Sequence, residues 1–79
     1  MSLQDDVISI VSKVTSVPVS KLDANSGLGN VQNWDSLNHT HLVLALEEAF
    51  DTSFDFDELD RIVTVAAIVR SLEEKNASR

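Results

Sequence analysis

Apolar positions along this chain fall into three helical stripes, separated by stretches with no sustained period. Leu3, Val7, Ile10, Val11 and Val14 share one narrow arc at helical spacing, while Gln4, Asp5, Asp6 and Ser12 lie off it. The spacing predicts a helix over 3–15, capped by Ser2, with its acidic pair in the first turn where the helix dipole favours negative charge. Ile8 falls at the edge of the stripe. Val17-Pro18-Val19 ends the helix, because proline disfavours helical angles in the residue before it.

The second stripe organises the chain and lies within 34–50. Asp35 is placed to cap it and Ser36 takes the first helical position, where free amides and the dipole favour an anion. Leu42, Val43, Ala45, Leu46, Ala49 and Phe50 form the arc expected to face the core. Ser36, Leu37, Thr40, His41, Leu44, Glu47 and Glu48 form the other arc. A plain solvent face would be uniformly polar. This one carries Leu37 and Leu44 beside an acidic pair, the composition of a docking face with a hydroxyl at its tip.

The third stripe is Val65, Ile68, Val69 and Leu72, in a helix expected over 65–74 with Thr64 as its cap. The 16–34 connection holds Gly27, Gly29 and several Asn, with Leu22, Leu28 and Val31 as its expected apolar anchors. Phe54 should anchor a second loop, followed by a short helix near 57–62, and 75–79 reads as a frayed polar tail. No strand pattern or repeat is present. The expectation is an all-α fold: a single domain over 1–79, built as a small helical bundle with three main helices, one short third helix and a long first loop.

Composition narrows the partners. A chain of 79 residues has room for one small core and buries only about 60% of its unfolded surface. Six Lys+Arg stand singly among thirteen Asp+Glu, for a net charge of -7. That balance argues against nucleic acid, which needs a positive stripe, and against anionic membranes. A basic protein surface is the favoured counterpart. With no cysteine, the chain has no disulfide or thiolate of its own. Neither a signal peptide nor a membrane span is read in it, so a cytoplasmic monomer is expected.

Ser36 fails as a catalytic nucleophile: no Gly-x-Ser-x-Gly elbow surrounds it, and His39 falls on the apolar arc, away from it. His39 and His41 are two apart, so on a helix they cannot grip one metal ion. A calcium loop starting at Asp51 needs Gly sixth and Glu twelfth, and finds Phe56 and Ile62. No catalytic or metal residue is therefore assigned. Covalent attachment at Ser36 needs only an exposed hydroxyl on a stable helix, since a second enzyme supplies the chemistry.

Asp35-Ser36-Leu37, followed by Leu42-Val43-Leu44-Ala45-Leu46-Glu47-Glu48-Ala49-Phe50-Asp51, resembles the acyl carrier protein family, as does Arg61-Ile62-Val63-Thr64-Val65 entering the last helix. The resemblance implies an antiparallel four-helix bundle with 4'-phosphopantetheine on Ser36, transferred from coenzyme A by a phosphopantetheinyl transferase. It implies acyl groups carried as thioesters for lipid or polyketide biosynthesis. Asp35, Leu37, Thr40, His41, Leu44, Glu47, Glu48 and Ile62 would then meet basic patches on acyl-transferring or synthase enzymes. Asn33 and Trp34 stand where the family usually has Gly and a small residue, which would set an aromatic beside the arm. Asn38 and His41 replace the acidic residues, and Thr40 the Val, common in fatty-acid carriers, which favours a specialised free-standing carrier. The alternative is an unmodified helical domain whose Leu37/Leu44 face fills a partner groove.

Overall fold

A computed structural model describes residues 2–77, with side chains through Lys75. Four helices follow one another: α1 (Leu3–Thr15), α2 (Ser36–Phe50), α3 (Phe56–Leu59) and α4 (Val65–Ala77). A single 3-10 turn, Val19–Lys21, interrupts the first connection. Among the described residues there is no strand, only an isolated antiparallel bridge between Gly27 and Thr64. The all-α expectation holds.

α1 has the expected bounds because its signals are local. Ser2 Oγ accepts the Asp5 N–H at 3.1 Å, and Asp5 reaches back to the Ser2 amide. The helix closes at Ser16, in left-handed angles (φ 65°), just ahead of the Val17-Pro18 stop. Val7 and Val11 are fully buried and Ile8 nearly so, and α1 packs against both α2 and α4. Leu42, Leu46, Val65, Ile68 and Leu72 join them in the core.

The long connection is stapled to α4. The first amides of α4 have no partners within their own helix. Val65 donates to the Ser26 carbonyl at 2.9 Å, Ala66 to the Ala24 carbonyl at 3.0 Å, and Ala67 to Thr64 Oγ1 at 3.1 Å. Leu28 N–H donates in return to the Val63 carbonyl at 2.8 Å. Gly27 sits so close to this strip that a Cβ would stand against the Val63 carbonyl oxygen and Thr64. Leu22 is buried and Val31 packs against the core, whereas Leu28 is 39% exposed and anchors little.

Three sequence boundaries are corrected. α3 occupies Phe56–Leu59 rather than 57–62, because the Glu58 carboxylate accepts the Asp55 N–H at 3.1 Å and starts the turn there. α4 runs on to Ala77, beyond the expected end at 74. Lys75, placed by the sequence in a frayed tail, instead bonds to Glu58 at 2.8 Å and lies 5.2 Å from the centre of the Phe54 ring. Ser78 and Arg79 lie outside the described residues. Ala49, expected to face the core, is exposed.

Candidate functional site

The entry into α2 is built by three consecutive residues with different tasks. Asn33 adopts left-handed angles (φ 66°), which Asn tolerates better than most residues. Its Nδ2 donates to the Thr15 carbonyl at 2.9 Å, tying the turn to the end of α1. Trp34 is then turned inward and is only 2% exposed. This corrects the expectation of an aromatic beside an attached arm: the indole belongs to the core. Asp35 returns to the surface and caps α2 by accepting the Asn38 N–H at 2.9 Å.

Ser36 follows as the first helical residue and is exposed. Its hydroxyl has no hydrogen-bond partner among the described residues, while its carbonyl accepts from Thr40 Oγ1 at 3.1 Å. A phosphodiester on this oxygen would meet the positive end of a helix with nothing to displace. Leu37 and Leu44 are 67% and 59% exposed, and Thr40, His41 and Glu48 are exposed with them.

Two residues expected to meet partners, Glu47 on this face and Ile62 in the short third helix, are engaged within the fold. Ile62 is 1% exposed and packs in the core, because α3 ends at Leu59 and the chain turns inward before α4. A partner cannot touch it without opening the bundle. Glu47 is half-buried, and its Oε2 accepts the Phe54 N–H at 2.9 Å, so its carboxylate fixes the loop after α2. The helical wheel could not see a loop folding back over that position.

Between α2 and α3 runs a groove of about 450 Å³ that begins at Ser36. His39, Val43 and Leu44 line one side, and Leu59 and Val63 the other, with Phe54 also contributing. His39 and Ser36 thus share the groove, although the sequence placed them apart. Trp34 Nε1 donates to His39 Nδ1 at 2.9 Å, and the two rings stack with centroids 6.1 Å apart. Burial lowers the His39 pKa from its ordinary 6.5, while hydrogen bonding to the Leu59 backbone acts in the opposite direction. His39 Nε2 is buried, and the contact with Leu59 is too long or too bent to make a full hydrogen bond among the described residues.

No described helix is long and apolar enough to cross a membrane, and no described group of side chains could hold a metal ion. Residues 5–72 match the family described as the phosphopantetheine attachment site. The chain is also similar to an acyl carrier protein of Chlamydia caviae, being 32% identical over 75 residues. That match covers 95% of this chain and 97% of the relative. A free hydroxyl at the leading end of α2, with a groove beside it, suits such a prosthetic group. Both matches extend from α1 into α4, and the chain belongs to the acyl carrier protein family, whose members are carriers rather than catalysts and bear covalent phosphopantetheine.

Proposed function

We propose that Ser36 carries the phosphopantetheine arm and that its terminal thiol holds acyl groups as thioesters. In the loading step, Ser36 Oγ attacks the coenzyme A phosphorus nearest the pantetheine. The O–P bond forms, the pyrophosphate linkage breaks, and adenosine 3',5'-bisphosphate leaves. The hydroxyl proton passes to a base on the phosphopantetheinyl transferase, since no described side chain accepts from Ser36. The observation that carries this reading is the exposed, unpartnered hydroxyl at the first position of a capped helix.

Partner enzymes would dock on α2 through Asp35, Leu37, Thr40, His41, Leu44 and Glu48, with Glu47 acting chiefly inside the fold. The two exposed leucines supply apolar contact and the net charge of -7 steers basic surfaces toward them. A monomeric single-domain carrier in the cytoplasm, feeding lipid or polyketide synthesis, fits these features. The test is intact mass after incubation with coenzyme A and a broad-specificity phosphopantetheinyl transferase. One added phosphopantetheine supports the proposal. A folded protein of unchanged mass favours the unmodified interaction domain.

A further inference from the structure

We propose that neutral His39 is a positioning residue for the modification of Ser36. It accepts the Trp34 indole N–H and so holds the turn that presents the hydroxyl; protonation at Nδ1 releases that turn. This inference rests on the reading of Ser36 as the attachment point and adds its control by pH.

Two side-chain bonds of equal span bracket Ser36. Asn38 Nδ2 donates to the Asn33 carbonyl at 2.7 Å, and Trp34 Nε1 donates to His39 Nδ1 at 2.9 Å. Each ties a residue ahead of Ser36 to one five positions on, within the opening of α2. The first amides of a helix lack partners in their own helix, so bonds of this kind govern its opening turn. Neither bond uses the Ser36 hydroxyl, which stays free to react. A reacting group held in place reacts faster, and a small displacement of it slows the step.

Only the His39 arm answers to a proton. An indole nitrogen is a donor alone, so Nδ1 must present a lone pair, which the neutral ring supplies by carrying its proton on Nε2. The imidazolium donates from both nitrogens. Its contact with the Leu59 backbone would persist, but at Nδ1 two N–H groups would face each other. Trp34 is buried, so relief must come from movement at the turn. No charge offsets this. Glu47 of α2 and Asp60 after α3 line the groove with His39, yet neither bonds the ring, and α1 and α4 give that groove no described residue. The Asp35 carboxylate accepts the Asn38 N–H, and His41 is exposed on the outer face.

The test follows loading of the full chain by intact mass, using coenzyme A and a broad-specificity transferase between about pH 8 and about pH 5, where histidine titrates. The parent is compared with His39→Asn, which keeps an acceptor oxygen near the place of Nδ1 and does not titrate, and with His39→Phe, which has no acceptor. All three meet the same enzyme and retain His41, so ratios of their rates cancel other titrations. The parent should match His39→Asn at the upper pH and fall roughly three- to tenfold below it at the lower. Against His39→Phe the parent should be faster by the same factor at the upper pH and equal at the lower. Either variant decides alone if circular dichroism shows it folded. Trp34 is the one tryptophan of the chain, and a protonated imidazole quenches a neighbouring indole. Emission of the folded parent should therefore drop over the same range as its loading rate. Ratios that stay constant with pH would overturn the proposal, as would emission that titrates while relative loading does not. A parent that never gains mass would remove the attachment itself, and this inference with it.

Discussion

The two sides of α2 differ in what they touch. On the inner side, Leu42 and Leu46 are fully buried, and Trp34 and His39 hold each other where the helix begins. On the outer side, Leu37, Thr40, His41, Leu44 and Glu48 stand exposed beside Ser36. One helix therefore divides its labour: the fold depends on the inner residues and the proposed chemistry on the outer ones. Substitutions should separate the two.

The sharpest separation pairs Ser36→Ala with Leu42→Ala. Ser36→Ala should lose modification completely, while its unfolding free energy stays within about 0.5 kcal/mol of the parent. Leu42→Ala should cost about 2–5 kcal/mol, because the bundle cannot collapse onto the lost side chain. It should still accept the arm under conditions where it remains folded. Denaturant melts and intact mass on both variants check the pair.

Next comes the acidic pair, whose members fall on different sides of the division. Glu47→Lys removes the acceptor of the Phe54 N–H and should destabilise the protein by about 1–3 kcal/mol. Glu48→Lys should leave stability almost unchanged and slow transfer from a basic partner enzyme, most at low salt. Equal effects of the two on stability would break the comparison.

His39 gives a pH dependence. Its folded pKa lies below the ordinary 6.5, so the unfolded chain binds more protons between those two values. The stabilisation is complete above about 6.5 and is lost as pH falls toward the folded pKa. Site-resolved titration should find a midpoint below about 6.5, and the matching slope in stability should vanish in His39→Phe.

The smallest effect is expected at the far end of the bundle. The hydrogen bond from the Lys75 ammonium holds the Glu58 pKa down at about 2; burial opposes it, and lesser hydrogen bonds from Asp55 and Ser71 add to the lowering. Lys75→Ala should nonetheless cost only about 1 kcal/mol, since the pair is part-buried at the surface and solvent screens it. The contribution should be present above about 4.5 and fade as pH falls toward 2. Acid melts of the parent and Lys75→Ala would show the difference closing over that window.

What was legible in the sequence was local. The bounds of α1 and the placing of Asp35 and Ser36 at the start of α2 follow from caps and apolar spacing. So do the Thr64 cap and the anchoring by Phe54. What escaped depends on contacts distant along the chain. Glu47 lies outward on a wheel, yet the loop returns to it through Phe54. Lys75 looks like tail until Glu58 is seen beside it, seventeen residues away. Trp34 faces inward because Asn33 is tied to Thr15, eighteen residues back, and His39 then gains its indole partner. One missed signal was available: Asp55-Phe56-Asp57-Glu58 has the spacing of a capping box and could have fixed the start of α3.

The central claim is that the arm hangs from one particular oxygen at the start of α2. Fragmentation mass spectrometry of the protein after reaction with coenzyme A and transferase reads that position directly. The account predicts phosphopantetheine on Ser36 and on no other serine. Attachment at another serine, or undiminished loading of Ser36→Ala, would contradict it.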